Sequence, residues 1–150
     1  MFDFLMTDEQ KELQEEMRDF TRSIDRQYLL DMDAEEIQYP KEILEKAAER
    51  KLLGLRFPEE YGGRGLGWTE EIIAIEEMAT LGIPPACLYS LVSIVGECII
   101  EFGTEEHKQK YLKPTLGAKL FCSEALTEPR GGSDFFGATT TAKKEGEEYV

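Results

Sequence analysis

The sequence has few of the residues that most often bind metals or act as nucleophiles. It contains one histidine, His107, and three cysteines, which are widely spaced and include no Cys-x-x-Cys pair. An odd number of scattered cysteines favours reduced thiols over a disulfide framework or a zinc site. His107 follows two glutamates in the first turn of a charged helix, where a surface role is expected. We therefore expect a cytoplasmic protein with no metal site.

Basic residues are also scarce. There are 17 lysines and arginines against 31 aspartates and glutamates, so the net charge is −14. This charge disfavours binding to nucleic acid or to an anionic membrane surface. The longest uncharged run, residues 78–96, is interrupted by Gly82, Pro84 and Pro85, which argues against a membrane-spanning helix. The acidic start of the chain does not resemble a signal peptide.

The first 116 residues are predicted to be helical, because apolar residues recur at helical spacing between capping and breaking residues. Thr7 and Gln10 form a predicted capping box, and Leu13, Met17 and Phe20 follow on one face. Further helices are predicted at residues 40–54, 69–82, 85–102 and 104–114. Residues 25–36 show no clear periodicity, and residues 55–67 are predicted to be a loop because four glycines and a proline forbid regular structure.

The third predicted helix, capped by Thr69, is expected to bury Ile72, Ile75, Met78 and Ala79. The fourth is apolar on nearly every side, so we expect it to be surrounded by protein.

After residue 116 the sequence changes character. Strands are predicted at residues 120–126 and from residue 148, with extended chain at 138–143 and a turn at 144–147. A strand that begins at the last residues has no partner. We therefore expect a mainly α chain, with a helical domain at 1–116 and the truncated beginning of a β domain at 117–150.

Residues 125–134, Ala-Leu-Thr-Glu-Pro-Arg-Gly-Gly-Ser-Asp, form the segment most suited to ligand binding. Thr127 exposes a hydroxyl, two glycines permit close approach of the backbone, and Ser133 adds a hydroxyl and an N–H group. Consecutive N–H groups in such a loop suit a phosphate. On residue types alone, however, an ordinary surface turn is the simpler interpretation.

Four motifs in order resemble the acyl-CoA dehydrogenase family. They are LMTDEQKEL at 5–13, LGLRFPEEYGGRGL at 53–66, FGTEEHKQKYL at 102–112 and ALTEPRGGSD at 125–134. Together they span most of the chain and are more specific than any one of them alone. The resemblance implies an N-terminal helical bundle followed by the first strands of the family's middle β domain.

The resemblance also implies that this chain binds FAD. The backbone at Glu124 and Leu126 is expected to contact the polar edge of the flavin ring, and the Thr127 hydroxyl to bind near its reactive side. Gly132 and Ser133 are expected to reach the pyrophosphate. Hydrogen-bond donors aimed at the flavin stabilise the negative charge that grows when it is reduced.

The reaction implied by the resemblance is α,β-dehydrogenation of an acyl-CoA thioester, with proton abstraction and hydride transfer to flavin N5. Ser133 and Ser90 are the expected substrate contacts. No residue here matches the family's catalytic glutamate, which usually lies in the C-terminal domain, so no catalytic residue is assigned and these 150 residues alone are expected to be inactive. The family further implies fatty acid β-oxidation, an electron-transferring flavoprotein as acceptor, and a homotetramer or dimer.

Two alternatives stay open at this point. A flavin-dependent oxidase of the same fold would carry the same motifs. A non-catalytic helical interaction module would explain the helices but not the flavin-contact segment.

Overall fold

The computed structural model describes residues 3–150, of which helices make up the larger part. The α-helices are α1 (Asp8–Arg22), α2 (Arg26–Asp33), α3 (Lys41–Glu49), α4 (Trp68–Ala79), α5 (Ile83–Phe102), α6 (Glu105–His107) and α7 (Lys113–Leu116). A π-helical turn, Lys108–Leu112, joins α6 to α7, and short 3₁₀ turns lie at Asp3–Leu5, Glu59–Tyr61 and Phe135–Gly137. The strands β1 (Lys144–Glu145) and β2 (Glu148–Tyr149) form one antiparallel hairpin. The predicted mainly α fold is confirmed.

Helix α1 begins as the sequence predicts. The Gln10 N–H donates to Thr7 Oγ1 at 3.2 Å, and the Thr7 N–H donates back to Gln10 Oε1 at 3.0 Å. This reciprocal pair satisfies two backbone donors that a helix start leaves open. The apolar face of α1 is buried at Leu13, Met17 and Phe20, against α4 and the core.

Helix α2 lies in the stretch where no element is predicted. The Asp25 carboxylate caps it by accepting the Gln27 N–H at 3.0 Å. None of its residues is fully buried, and it packs on the core through the partly buried Tyr28, Leu29 and Met32. A helix of eight residues makes only about two turns, too few to give a clear periodic signal, which is why the sequence does not reveal it.

Helix α3 ends at Glu49, earlier than the predicted end at residue 54. Lys51 has a left-handed φ of 54°, so the helix cannot continue past it. The residues that follow, Leu52, Leu53 and Leu55, are buried in a tight irregular segment. The helix itself buries its predicted apolar face, including Ile43 and Leu44.

Helix α4 differs from the prediction in its start and in its buried face. Its cap is Gly67, whose N–H donates to the Glu70 carboxylate at 2.9 Å, and not Thr69. Ile72, expected inside, is 47% exposed. The buried residues of α4 include two acids, Glu71 and Glu77, which the spacing of apolar residues places at the surface.

Those buried carboxylates have partners, as the interior requires. Glu77 forms an ion pair with Arg18 of α1 at 2.8 Å. Glu71 accepts hydrogen bonds from the hydroxyl of Ser93 on α5 and from the Arg56 N–H at 3.3 Å. The two acids thus join α4 to its neighbours on both sides.

Helix α5 accommodates Pro84 and Pro85 in its first turn, where a missing N–H costs nothing. The uncharged run 78–96 is broken as predicted, because α4 ends at Ala79 and α5 begins only after Gly82. The two prolines, however, lie inside α5 and do not break it. By length and composition α5 is apolar enough to cross a bilayer, a test that core helices of soluble proteins also pass. Only one face, including Tyr89, Val92 and Gly96, is buried within the described residues.

The expectation that α5 is surrounded by protein is wrong for the described part of the chain. Ile83, Ile94 and Phe102 are 79%, 47% and 87% exposed.

Helix α6 is capped by Thr104 as predicted, with the His107 N–H donating to Thr104 Oγ1 at 3.3 Å. Pro114 does not end the helical segment, which continues to Leu116. The π turn before it widens the helix, so that the Lys113 N–H bonds to the Lys108 carbonyl, five residues back. Pro114 then occupies a first-turn position of α7, which needs no N–H.

The strand predicted at 120–126 is not formed. These residues lie in irregular chain, because no strand within residues 3–150 lies beside them to complete a ladder. The predicted strand at 148 is present, but the expectation that it has no partner is wrong. It pairs with β1 through Glu145 and Glu148, with Gly146 at φ 66° in the turn. The helical part ends at Leu116, and the predicted division at 116 and 117 stays a prediction.

Candidate functional site

The predicted flavin-contact segment is a surface loop. Glu124, Leu126, Thr127, Gly132 and Ser133 are all exposed. Within residues 3–150, the structure gives no hydrogen-bond partner to the backbone N–H groups of Leu126, Gly132 and Ser133 or to the Ser133 hydroxyl. Exposed donors without partners are available to a polar or anionic ligand.

A tight turn organises this loop. Glu128 and Gly131 pair through their backbones, with N···O distances of 3.3 Å and 3.0 Å. Pro129 occupies the second position of the turn, where its fixed φ is favourable. Residues 127 and 132, which flank the turn, are therefore held close together.

The structure brings Thr127 and Gly132 into contact. A Cβ atom added to Gly132 would lie 2.9 Å from Thr127 Oγ1 and 3.3 Å from its Cγ2. The same atom added to the neighbouring Gly131 would meet nothing within 4 Å. The two chain segments that flank the turn therefore approach so closely that position 132 requires a glycine, whereas position 131 does not.

Glu128 holds the turn to the chain that follows, a role that the sequence does not reveal. Its Oε2 accepts the Thr139 N–H at 2.8 Å and the Thr139 hydroxyl at 2.9 Å, and its Oε1 accepts the Thr140 N–H at 2.8 Å. Hydrogen bonds from Thr140 and Thr139 lower the pKa of Glu128 from 4.5 to about 2. A spacing of eleven residues through irregular chain carries no periodic signal, so this contact is found only in the structure.

The depressed pKa makes the Glu128 contact resistant to acid. The carboxylate binds a proton less readily when the turn is formed. The stabilisation that the ionised carboxylate gives the turn is therefore complete above pH 4.5 and is lost as the pH falls from 4.5 to about 2. Arg130 and Asp134 are the charged side chains that share its cavity. We expect the amide ¹H shifts of Thr139 and Thr140, followed by NMR, to titrate with a midpoint near 2. A midpoint near 4.5 would contradict the arrangement.

Arg130 spans the loop on the same side. Its Nη1 donates to the Gly137 carbonyl at 3.3 Å, while the side chain is otherwise exposed. The cavity that it helps to line is about 40 Å³, room for one or two water molecules and not for a ligand. Ligand contacts of this segment must therefore be made on its open surface.

The predicted substrate contact on α5, Ser90, is half-buried, and its hydroxyl donates to the Cys87 carbonyl at 2.9 Å. Ser93, three residues on, is 4% exposed and bonds to Glu71, so it faces the core. No hydrogen bond joins Ser90 to residues 124–133 within the described chain. The two parts of the predicted site thus remain separate features of this structure.

A buried polar cluster beneath α5 is the other concentration of charge. Arg56, with a side chain 9% exposed, pairs with Glu97 and donates to the Ser93 carbonyl at 3.0 Å. Its guanidinium lies 3.8 Å from the centre of the Trp68 ring and 4.5 Å from that of Phe57. These contacts anchor the glycine-rich loop to α4 and α5, which is a structural role.

His107 takes part in the cap of α6, where its Nδ1 accepts the Thr104 N–H at 3.3 Å, and it is exposed. Among residues 3–150, no three His, Cys, Asp or Glu side chains are grouped to hold a metal ion.

Comparison with known proteins gives consistent matches along the chain. The family model for the N-terminal domain of acyl-CoA dehydrogenases matches residues 7–119. The short-chain specific acyl-CoA dehydrogenase of Clostridium acetobutylicum is 34% identical over 149 residues, which are 99% of this chain and 39% of that protein. Subunit CarC of the caffeyl-CoA reductase–Etf complex of Acetobacterium woodii is 35% identical over 145 residues, 96% of this chain and 38% of that protein.

A solved structure agrees with these matches. The acyl-CoA dehydrogenase of Bacillus anthracis, crystallised in complex with FAD, superposes with a TM-score of 0.80 at 32% identity, covering 97% of this chain and 25% of that one. The chain spans about two fifths of the length of the curated relatives described above.

Proposed function

The chain belongs to the acyl-CoA dehydrogenase family, and from this we propose that it forms the N-terminal part of a FAD-dependent enzyme that dehydrogenates an acyl-CoA thioester between Cα and Cβ. The observation that carries the proposal is the 125–134 loop, with exposed donors on both sides of a fixed turn. The chain covers about two fifths of the length of its relatives. We propose that the catalytic base lies outside residues 1–150, since none of these residues matches the family's catalytic glutamate.

The exposed hydrogen-bond donors of the loop are of the kind that binds FAD. Exposed N–H groups at Leu126, Gly132 and Ser133, with the Thr127 and Ser133 hydroxyls, suit the polar edge of a flavin and a pyrophosphate. When bound, FAD supplies the acceptor for the hydride that leaves the substrate. The role of this chain is to bind and orient the cofactor.

Thr127 and Gly132 are proposed to contact different parts of FAD. The Thr127 hydroxyl is proposed to donate to the flavin on the side where negative charge grows during reduction. Gly132, which has no side chain, lets the backbone approach the pyrophosphate, and Ser133 adds a hydroxyl beside the acyl-CoA. Ser90, on the accessible side of α5, is proposed to contact the acyl chain.

The proposed partners follow from the relatives. The Acetobacterium woodii relative is a subunit of a complex with an electron-transferring flavoprotein, and we propose such a flavoprotein as the electron acceptor here. A homo-oligomer, a cytoplasmic location and a place in fatty acid β-oxidation are proposed on the same family grounds.

The proposal is tested in the holoenzyme, meaning the FAD-loaded protein in which residues 1–150 are continued to the length of the relatives. We expect a visible flavin spectrum that saturated short- or medium-chain acyl-CoA bleaches without oxygen. Residues 1–150 alone should neither retain FAD nor reduce a dye with acyl-CoA. A folded protein of full length that binds no FAD would overturn the proposal.

Replacing Thr127 by valine should make the flavin harder to reduce. The substitution keeps the shape of the side chain but removes a donor to a developing charge, worth about 1.5–3 kcal/mol. For a two-electron couple this corresponds to a potential lower by about 30–60 mV, with slower reduction by substrate. Potentiometric titration measures the change in potential, and Thr141→Val, at an exposed threonine outside the 125–134 loop, is the control. Equal potentials for Thr127→Val and the parent would show that the hydroxyl does not reach the flavin.

A further inference from the structure

The Glu128 side chain uses both carboxylate oxygens to hold one short stretch of chain. Three donors, two backbone N–H groups and a hydroxyl, converge on it from Thr139 and Thr140 at 2.8–2.9 Å. Hydrogen bonds to an ionised acceptor are among the strongest in proteins. The contact is formed although the residue lies at the surface.

The backbone of the same residue closes the turn. Glu128 and Gly131 exchange two hydrogen bonds, and the residues on either side of the turn, Thr127 and Gly132, are in contact. Glu128 therefore connects Thr127 and Gly132 on one side with residues 139 and 140 on the other.

We propose that Glu128 is a positioning residue for the cofactor, whose carboxylate fixes the turn so that Thr127 and Gly132 meet FAD in one arrangement. This inference rests on the proposed function of the loop. The carboxylate itself contacts protein donors and not FAD, and it acts through the two residues that flank the turn.

The physical reason is preorganisation. A surface loop that must be ordered when a ligand binds loses conformational freedom at that moment, and the affinity falls accordingly. A turn already held by three hydrogen bonds avoids that loss. The same hydrogen bonds lower the pKa of Glu128, so the carboxylate that accepts them is ionised throughout the neutral range.

The first experiment examines the contact without cofactor. In the 150-residue chain, Glu128→Gln preserves the side-chain shape but replaces one acceptor oxygen by an NH₂ donor, so it cannot accept both N–H groups. We expect the Thr139 and Thr140 amide resonances to move upfield and their hydrogen exchange to accelerate. Glu147→Gln, with the same charge change at an exposed position of the hairpin turn, should leave both resonances in place.

The second experiment examines FAD in the holoenzyme. Loss of one or more hydrogen bonds to a charged acceptor predicts about tenfold weaker FAD binding for Glu128→Gln and a larger loss for Glu128→Ala. Glu147→Gln should bind FAD like the parent. Fluorescence of released flavin gives the dissociation constants.

A double-variant cycle distinguishes positioning from simple stabilisation of the loop. If Glu128 acts through Thr127, Glu128→Gln lowers the flavin potential in the parent but not further in Thr127→Val. Additive potential shifts, or FAD binding that is insensitive to Glu128→Ala, would overturn this proposal while the proposed function stands. A parent holoenzyme without FAD would overturn both.

Discussion

Replacing Gly132 by valine is expected to strip FAD from the holoenzyme while the helices stay folded. The backbone at this position is proposed to approach the pyrophosphate, so a side chain would occupy ligand space. The structure adds a second reason, because the first atom of any side chain would lie 2.9 Å from Thr127 Oγ1. The substitution thus displaces Thr127 as well. We expect FAD affinity to fall by roughly a hundredfold or more, equivalent to about 3 kcal/mol.

The measurement combines the visible flavin spectrum with far-ultraviolet circular dichroism, which reports the helices. Gly131→Val is the matched control, since a Cβ there meets nothing within 4 Å and the φ of Gly131 is not left-handed. It should retain FAD. Ser133→Ala should have a milder effect than Gly132→Val, because the backbone donors remain and only one hydroxyl is lost. Full FAD occupancy in Gly132→Val would show that this loop is not at the pyrophosphate.

The sequence predicts correctly those features of the fold that depend only on residues close together in the chain. The Thr7 and Thr104 caps and the apolar face of α1 are determined within a few residues, and all three are confirmed. The buried face of α4 was predicted only in part: Met78 is buried and Ile75 partly buried, whereas Ile72 and Ala79 are exposed. Glu71 and Glu77 are buried instead, by partners on α5 and α1. Such pairing depends on tertiary contacts, which the spacing of apolar residues does not contain.

In the candidate site, too, the sequence identifies the residues, but their tertiary contacts are found only in the structure. Residues 124–133 were identified from a motif, and the structure places them in one exposed loop around one turn, while their contacts with FAD stay a prediction. The contact of Glu128 with Thr139 and Thr140 was not predicted, because it joins irregular segments eleven residues apart. The predicted strand at 120–126 failed for a related reason, since a strand is defined by its neighbour.

The glycine-rich loop before α4 is closed on itself by backbone hydrogen bonds. The Arg64 and Leu66 N–H groups both donate to the Leu55 carbonyl at 3.1 Å, and the Gly65 N–H donates to the Phe57 carbonyl at 2.9 Å. This closure holds the buried side chains of Leu55 and Phe57 in the core. The loop therefore stabilises the helical region in addition to connecting α3 to α4.

Replacing Gly63 by alanine is expected to destabilise the helical region by about 3 kcal/mol, the upper end of what overpacking typically costs. A Cβ atom there would lie 2.0 Å from the Phe57 carbonyl oxygen, which already accepts the Gly65 N–H. Because the obstacle is backbone, relief requires the loop to open and Phe57 to move.

Urea denaturation of the 150-residue chain, followed by circular dichroism, measures the change. Gly65→Ala is the control, since a Cβ there meets nothing within 4 Å and only the left-handed φ of 65° opposes it, at a cost of about 1–2 kcal/mol. We expect Gly63→Ala to lose clearly more stability than Gly65→Ala, although both change one hydrogen into a methyl group in the same loop. The reverse order would mean that backbone conformation, and not the approach of Gly63 to Phe57, determines which glycines this loop requires.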